Sequence, residues 1–396
     1  MKIYVDNAAT TKMSPAAIQA MLPCFDLIYG NPSSLHSVGQ QAAEALYEAR
    51  TQIAACLGCH PKEIIFTSGG SEADNQAILS AAKIGSRKGK KHILSTPIEH
   101  HAVLHALQKL QKEGFSVEYL PVNNLGEVTP EQVADAIRPD TALVTVMYAN
   151  NEIGTILPIP EISRLCRERQ VLFHTDAVQA VGHIPIHVKQ QEIPLLSLSA
   201  HKFHGPKGTG VLYAQKGTPV ASLIEGGGQE GGRRAGTENV PAILGMAAAL
   251  KEACLHMEEN STKVTALQSR LMEGLLQIPH SALNGSPTHR LPGNVNICFE
   301  GIDGERLLLA LDQQGICASA GSACTSSSAD PSHVLRAIGL PRELARASLR
   351  ISLCETNTAE EVETIIHAVT QTVASLRSCS PLWNDKVEGR KPFLLK

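Results

Sequence analysis

A glycine-rich turn after one strand-like segment could bind an anion. The segment 64–67 is followed by Ser68-Gly69-Gly70-Ser71 and then by a helical pattern. We expect Ser71 to cap this helix, with Asp74 completing a capping-box-like pattern. Free backbone N–H groups and the positive end of the helix dipole would then suit a phosphate. An ordinary strand–turn–helix junction would give the same pattern, and the two common glycine signatures of nucleotide-binding sites are absent here.

Two polar residues follow other strand-like segments. Asp176 comes directly after the segment 171–175, and Lys202 comes shortly after 195–199. A carboxylate in such a position can hold a protonated heterocyclic nitrogen, although capping a helix is the commoner use of an aspartate there. A lysine at a buried strand end can lose hydration, which lowers its pKa and makes its amine a nucleophile. Lys207 lies beyond a Gly-Pro turn and is the weaker candidate.

A third candidate is a thiol in a segment of small residues. Cys324 is the reactive side chain between residues 318 and 329, where few apolar anchors are present, so we expect an exposed loop. Cys317 is expected to be a buried small apolar residue. Cys56 and Cys59 have the spacing of half a zinc site, but no second pair follows, and a structural role is preferred.

These residues need a scaffold, and the chain alternates strand-like and helical patterns. This alternation favours βα units and a mainly parallel sheet covered on both faces. Because ligands sit beyond the carboxyl ends of parallel strands, the candidate residues should meet at one edge. The predicted strands are 64–67, 92–95, 143–148, 171–175, 195–199 and 210–213. The predicted helices between them include 40–57, 71–84, 102–113, 130–137 and 160–169.

The pattern changes after a long helical connector at 240–277. Shorter strands at 294–300 and 348–353, mixed with helices, predict a second, smaller α+β domain. One helix there should be capped by Asp330, begin at Pro331 and stop at Gly339. The tail after Ser380 contains helix breakers and mixed charge, and we expect it to be loosely held.

Composition excludes several classes of protein. The 35 Lys and Arg against 38 Asp and Glu give a net charge of −3, and 43% of residues are hydrophobic. This excludes a disordered tail, a collagen-like repeat and a strongly basic nucleic-acid binder, so we expect no nucleic-acid partner. The sequence shows no signal-peptide core and no apolar run long enough for a membrane span. Ten scattered Cys favour a reducing compartment, and we expect the cytoplasm.

Several of these segments, in this order, resemble one enzyme family. Together they are similar to the cysteine desulfurases, pyridoxal-phosphate (PLP) enzymes of the class V aminotransferase group, from Tyr4 to about Leu376. Single pieces are weakly specific, but their order and spacing are highly specific. The pieces are Tyr4-Val-Asp-Asn-Ala-Ala-Thr-Thr, Thr67-Ser-Gly-Gly-Ser-Glu-Ala-Asp-Asn75, Glu99-His100, Asn150-Asn-Glu-Ile-Gly154, His174-Thr-Asp-Ala-Val-Gln179, Ser199-Ala-His-Lys202, Arg234-Ala-Gly-Thr-Glu-Asn239 and Ser322-Ala-Cys-Thr-Ser326.

The resemblance implies a fold and a domain plan. The fold is α/β, of the aspartate aminotransferase-like type I of PLP-dependent transferases, with a mainly parallel seven-stranded sheet in the large domain and a smaller α+β domain. The large PLP-binding domain would span 15–255. The small domain would comprise 1–14 and 256–380 and carry the active-site cysteine loop at about 315–329. Residues 381–396 would form a C-terminal extension, outside the resemblance.

The resemblance also implies roles for individual residues. Lys202, His100 and Cys324 would be catalytic: Lys202 would carry PLP covalently, and His100 would stack on its ring. The cofactor-binding set would be Gly70, Ser71, His100, Asn151, Asp176, Gln179, Ser199, His201, Lys202 and Thr237. Within that set Asp176 would pair with the ring nitrogen. The phosphate would be held by Gly70, Ser71, Ser199 and His201, and Asn151 with Gln179 would contact the ring oxygen side.

The remaining implied roles concern substrate and partners. Arg350 would bind the substrate carboxylate by a bidentate fork, and Asn31 and His36 would lie near the substrate. The family is a homodimer, and Thr237 would complete the partner subunit's phosphate site. No resident metal is implied, although Cys324 could ligate an iron–sulfur cluster transiently with a scaffold protein.

The implied activity is desulfuration of L-cysteine to L-alanine, with a persulfide on Cys324 that passes to iron–sulfur assembly or another acceptor. The alternatives are a selenocysteine lyase or another class V enzyme, and a non-catalytic subunit that only binds an iron–sulfur scaffold. A nicotinamide-dependent dehydrogenase is disfavoured by the missing glycine signature. Two departures from the family pattern are Ala318-Ser-Ala-Gly at the start of the loop and Cys354-Glu after Arg350.

Overall fold

The computed structural model describes residues 2–320 and 331–395 of the 396-residue chain. The helices in this part are α1 Pro15–Met21, α2 Ser37–Leu57, α3 Gly70–Arg87, α4 His101–Lys112, α5 Pro130–Ala136, α6 Ile159–Glu168, α7 Gln229–Gly232, α8 Val240–Leu255, α9 Met257–Leu276, α10 Gly304–Gln313, α11 His333–Ala337, α12 Arg342–Arg346, α13 Ala359–Ser378 and α14 Pro381–Val387. The strands are β1 Ile3–Tyr4, β2 Ile64–Thr67, β3 His92–Ser95, β4 Ser116–Tyr119, β5 Thr141–Thr145, β6 Leu172–Asp176, β7 Leu195–Ser199, β8 Gly210–Ala214, β9 Ser281–Leu283, β10 Asn294–Phe299, β11 Ile316–Cys317 and β12 Ser348–Ser352.

The large sheet has seven strands in the order β2-β8-β7-β6-β5-β3-β4. The pairs within β7-β6-β5-β3-β4 are parallel, and β8 runs antiparallel between β2 and β7. Strands β2, β3, β5, β7 and β8 are buried along their whole length, because helices cover both faces. The predicted α/β class with a mainly parallel sheet is confirmed.

The shared partner strand β8 brings the ends of β2 and β7 to one edge. Gly210 lies opposite both Thr67 and Ser199 in the two registers. A Cβ on Gly210 would lie 2.5 Å from the carbonyl oxygen of Leu198 and 2.8 Å from the backbone of Gly69. The glycine therefore lets the turn after β2 pass directly over β8, beside the end of β7.

A second hydrophobic core lies around the three-stranded sheet β12-β10-β9 and the helices α9, α10 and α13. Residues near the N-terminus join it through β1, which pairs in parallel with β11. Helix α11, by contrast, packs Val334 and Leu335 into the core of the large sheet. The domain limits 15–255 and 256–380 remain predictions.

The predicted strand positions agree with the structure at β2, β3 and β7, whereas helix ends differ by up to three residues. The helical connector is two helices, α8 and α9, that meet at His256. Helix α11 begins after Ser332, whose side chain accepts a hydrogen bond from Leu335 N. The expected start at Pro331 is therefore wrong, and Asp330 lies outside the described residues.

The C-terminal tail is packed, so the expectation of a loosely held extension is wrong. The fully buried carboxylate of Glu300 accepts hydrogen bonds from Lys386 and from the backbone N–H groups of Leu394 and Leu395. Trp383 lies under the guanidinium of Arg377 at 4.0 Å. Pro381 stands in the first turn of α14 and Gly389 follows its end, while charge pairing and ring contacts fix the tail.

In the described part of the chain, no single helix has the length and apolar character needed to cross a membrane. The helices α8 and α9 pass that test together, with a bend of 72° between them.

Candidate active site

The turn after β2 forms a cavity at the N-terminus of α3. The cavity has a volume of about 410 Å³, and its walls include Gly70, Ser71, Ser199 and His201. Gly69 occupies the N-cap position and has no side chain to bond the first N–H groups of α3. Those groups, with the positive end of an 18-residue helix, make the cavity suitable for a phosphate.

The helix start differs from the prediction. Ser71 lies inside the first turn of α3 and does not cap it, because Gly69, with φ of 149°, takes the N-cap position. Glu72 accepts a hydrogen bond from Ser68 N at 2.8 Å and forms an ion pair with Arg234 at 3.0 Å. The acidic partner of the turn is therefore Glu72, and the expected capping role of Asp74 is wrong.

Largely buried ionisable side chains from α3, the start of α4 and the end of β6 form a group near the cavity at the N-terminus of α3, which we call the cradle. Asp74, His100 and Asp176 each place one polar atom within 4.8 Å of the others. Burial raises the pKa of Asp176 to about 6, against the opposing effects of the Val178 N–H and the Lys202 charge. Burial and the charge of Lys202 lower the pKa of His100 to about 4. The imidazole is therefore neutral at pH 7.

The proton on His100 can be assigned from its contacts. Its Nδ1 accepts a hydrogen bond from Ala102 N at 3.1 Å, which caps α4. A neutral ring that accepts at Nδ1 carries its proton on Nε2. His100 can therefore present a flat, uncharged ring and one N–H donor. Asp176, the last residue of β6, accepts from Val178 N at 2.9 Å, so it stabilises a turn and is not a helix N-cap.

Lys202 lies at the end of a short helical turn after β7. Its Nζ donates to the carbonyl oxygens of Ala8 at 2.7 Å and Ala9 at 2.8 Å. Gln179 Nε2 donates to the same Ala8 oxygen at 2.9 Å. The predicted nucleophile and the predicted ring contact therefore meet at one backbone segment near the N-terminus, and Lys202 is close enough to shift the pKa values of His100 and Asp176.

Arg350 is a buried cation on β12, an outer strand of the three-stranded sheet. Its Nη2 donates to Asp6 Oδ1 at 2.8 Å, and its Nη1 donates to the backbone oxygen of Asn151 at 3.1 Å. Among the described residues its buried Nε has no hydrogen-bond partner. An unpaired guanidinium N–H is costly, and a carboxylate would satisfy it. The structure thus brings Asn151 and Arg350 together, with donor capacity left for a substrate.

Three predicted residues lie on the surface. Thr237 is exposed, in the segment that follows Arg234. Asn31 and His36 are exposed and serve local turns: Asn31 Oδ1 accepts from Ser33 N at 2.9 Å, and the His36 side chain caps α2. The roles predicted for these three residues remain predictions.

Several residues of the site carry no signal in the local sequence pattern. Thr10 lines the cavity and hydrogen-bonds His201 Nδ1 at 3.1 Å. Asp6 pairs with Arg350, and Asp74 joins the buried acidic group. Asp6 and Thr10 lie in the N-terminal motif, whose short polar run offered no periodic signal.

The cysteines divide into one undescribed and nine described residues. Cys324 lies outside the described residues, and the nine others are free thiols. Cys317 is half-buried, not buried as expected, with Sγ 3.9 Å from Asp312 Oδ1. Cys56 and Cys59 are half-buried, and neither belongs to a potential metal-binding group of the described residues.

The site fits PLP. The cradle at α3 would take the phosphate, and a Cβ on Gly70 would fill the space beside Val178 at 2.6 Å. Among the described residues the buried Asp74 Oδ1 has no hydrogen-bond partner, and His174 Nε2 lies 3.7 Å from it. Asp176 would hold the ring nitrogen, His100 would contact the ring, and Lys202 would supply the amine.

Comparison with known proteins agrees with this geometry. The family model described as aminotransferase class-V matches residues 3–365. A cysteine desulfurase IscS of Methanosarcina thermophila is 51% identical over 96% of this chain and 94% of its own length. A cysteine desulfurase NifS of Azotobacter vinelandii is 47% identical over 96% of this chain and 95% of its own length.

Solved structures give the same result. A NifS-like protein superposes with a TM-score of 0.90 at 38% identity, covering 95% of this chain and 100% of that one. A structure titled SspA in complex with cysteine superposes with a TM-score of 0.79 at 36% identity, covering 90% of this chain and 100% of that one. The resemblance seen in the sequence motifs is confirmed. The chain belongs to the class-V aminotransferase family and, within it, to the PLP-dependent cysteine desulfurases.

Proposed function

We propose that the protein removes the sulfur of L-cysteine, releasing L-alanine and leaving a persulfide on Cys324. The observation that carries this proposal is the convergence of Lys202, Asp176 and neutral His100 beside an anion cradle. The names of the relatives and the cysteine in one related structure support the same substrate.

Each residue of the site would have a separate role in the reaction. PLP, when bound, withdraws electrons from the substrate Cα and so weakens the bonds around it. Lys202 would hold the cofactor covalently and, as a free amine, would move a proton at the substrate Cα. Asp176 keeps a proton on the ring nitrogen, because an ionised carboxylate stabilises the cation beside it. Arg350 holds the substrate carboxylate through its Nε and one terminal nitrogen.

Cys324 is proposed as the sulfur acceptor. Its thiolate attacks the substrate sulfur, so that a bond from Sγ to that sulfur forms and the bond from carbon to sulfur breaks. The electron pair of the broken bond stays with the carbon skeleton, which takes up a proton and leaves as alanine. The persulfide then passes to an iron–sulfur scaffold or another sulfur carrier.

We further propose a cytoplasmic homodimer. Large apolar side chains stand exposed between α1 and α2, with Phe25 at 67%, Tyr29 at 70% and Leu35 at 93% exposure. Several large exposed apolar side chains within one short segment favour a protein partner, here a second copy of the chain. The exposed Thr237 would then reach the partner's phosphate cradle. Nine free thiols in the described residues favour a reducing compartment.

The test is Cys324→Ser, with Cys379→Ser as the matched control because Cys379 is an exposed thiol at the end of α13. Cys324→Ser should keep its fold and the yellow colour of lysine-bound PLP, and L-cysteine should still change the PLP spectrum. Alanine and sulfide production should fall by orders of magnitude, without a persulfide on the protein. Sulfide release from L-cysteine at the wild-type rate would refute the assignment of Cys324.

A further inference from the structure

A cluster of side chains that could bind a metal ion lies close in sequence to Lys202 and Arg350. His204, Cys354 and Glu355 each offer one ligand atom, and these three atoms lie within 4.8 Å of one another. His204 follows Lys202 by two residues, and Cys354 lies two residues beyond the end of β12, the strand that carries Arg350. The cluster therefore joins the segments that carry the predicted nucleophile and the predicted substrate anchor. No role at the active site involves these three side chains.

The hydrogen bonds of His204 determine which nitrogen is available. Nδ1 lies 2.8 Å from the carbonyl oxygen of Lys12, and because a carbonyl only accepts, the proton sits on Nδ1. In the neutral ring Nε2 then carries a lone pair. Metal-ligating histidines commonly donate their other N–H to a backbone carbonyl in this way, which fixes the tautomer and the ring orientation.

A positive charge is favoured next to His204 Nε2. Among the described residues the buried Nε2 has no hydrogen-bond partner, and it lies 3.3 Å from Glu355 Oε1, with which it forms an ion pair only when the imidazole is protonated. Two lone pairs facing each other at this distance repel unless a proton or a metal ion lies between them. Burial opposes protonation of His204, but the Glu355 carboxylate raises its pKa above the ordinary value. A proton is therefore the alternative to a metal ion between His204 Nε2 and Glu355 Oε1.

The backbone holds the ligands in place on both sides. His204 has a left-handed φ of 64°, which costs energy in a residue other than glycine. This conformation is held by hydrogen bonds from His204 N to Thr11 Oγ1 and from Ser14 N to the His204 carbonyl, both at 2.9 Å. Cys354 N donates to Asn357 Oδ1 at 2.9 Å, which fixes the turn after β12.

We propose that His204 Nε2, Cys354 Sγ and a Glu355 carboxylate oxygen bind one zinc ion between the two segments. One imidazole, one thiolate and one carboxylate suit this borderline cation, and three protein ligands leave the fourth position for water. In tetrahedral zinc sites neighbouring ligand atoms lie roughly 3.3–3.8 Å apart, so the widest pair needs to close by about 1 Å. Binding displaces the thiol proton of Cys354 to solvent.

The test measures zinc bound to the PLP-loaded protein after incubation with zinc chloride and removal of loose metal with a weak chelator. Because the thiol of Cys324 can also bind zinc, we use wild type and a Cys324→Ser background. We expect one zinc ion per chain in the background, by elemental analysis, and a rise in melting temperature on zinc addition. Cys354→Ser and Glu355→Gln should each weaken zinc binding by at least roughly tenfold while the yellow colour remains.

The exposed Cys379 provides the matched control. Cys379→Ser should bind zinc as the background does, with the same rise in melting temperature. If the Cys354→Ser variant binds zinc with the same affinity as the background, the proposed site is wrong. Absence of bound zinc from the Cys324→Ser background would also overturn it and would leave the proton shared by His204 and Glu355 as the occupant. Neither result depends on desulfurase activity.

Discussion

Lys202 Nζ contacts two backbone carbonyls, of Ala8 and Ala9, in the N-terminal segment. Carbonyl oxygens only accept hydrogen bonds, so both contacts hold the amine through its N–H groups. The neighbouring His100 is kept neutral, so it adds no repulsive charge to the amine at pH 7. The N-terminal segment thus places the lysine amine close to the buried Asp176 and His100.

We expect Lys202→Ala to abolish turnover, because the amine both carries the cofactor and moves the proton at Cα. The cradle at α3 should still bind PLP non-covalently, so the variant should take up PLP and lose the absorption band of lysine-bound PLP. Borohydride reduction of the wild type, followed by peptide mapping, should place the pyridoxyl group on Lys202. Lys207→Ala is the matched control and should keep the covalent linkage. A label on Lys207 would contradict the assignment.

At the scale of elements, the junction of β2 and α3 forms the cradle through close backbone approach. We expect Gly70→Ala to weaken PLP binding by roughly tenfold or more, because overpacking costs about 1–3 kcal/mol. The new Cβ would lie 2.6 Å from Val178 Cγ2, and Val178 N also holds Asp176. Equilibrium dialysis with PLP measures the change.

Gly228→Ala serves as the control for the cradle, because a Cβ there meets nothing within 4 Å. Its PLP affinity should equal that of the wild type. An unchanged affinity in Gly70→Ala would show that the turn after β2 does not constrain the phosphate site.

The same junction shows what the sequence could predict. The sequence pattern predicted β2, β3 and β7 correctly, because each is a short segment, apolar in at least half of its residues and bounded by turns, which leaves few alternatives. It also placed Asp176 and Lys202 at strand ends. The capping of α3 could not be predicted, because Ser71 and Gly69 both suit an N-cap and the path of the chain over Gly210 decides between them.

Local sequence patterns do not predict contacts between segments that are far apart in the chain. The pairing of Asp6 with Arg350 and of Thr10 with His201 joins residues far apart in the chain. The packed tail depends on Glu300, whose burial against Lys386 no local pattern indicates. Family resemblance supplied the roles of Gln179 and Arg350, which residue type alone did not single out.

At the scale of the whole molecule, the interior of the large sheet holds a neutral imidazole. Burial lowers the pKa of His174 to about 3 from the ordinary 6.5. The unfolded chain takes up a proton below pH 6.5 and the folded protein does not until about pH 3, so stability falls as pH decreases through this window. His174→Gln should remove about 1.4 kcal/mol per pH unit of this dependence between pH 6 and 4.

Urea unfolding of the cofactor-free protein at several pH values measures this effect as the difference between the two stability curves. Other buried groups add their own pH dependence to both curves, which the subtraction removes. His256→Gln, at the exposed junction of α8 and α9, should leave the dependence unchanged. Parallel curves for the wild type and His174→Gln would mean that the folded protein protonates this imidazole.

Assembly of the dimer would link the exposed apolar side chains to cofactor binding. If Thr237 completes the partner's phosphate site, PLP binding and dimerisation must stabilise each other to the same extent. Thr237→Ala should weaken PLP binding roughly tenfold, the effect of one hydrogen bond to a charged group, and should also weaken the dimer measured at limiting PLP. Sedimentation and PLP absorbance on one dilution series measure both quantities.

Thr364→Ala, on the exposed face of α13, should change neither. A monomer at micromolar concentration with full PLP occupancy and full activity would exclude a shared site, and the apolar side chains between α1 and α2 would then need a different partner.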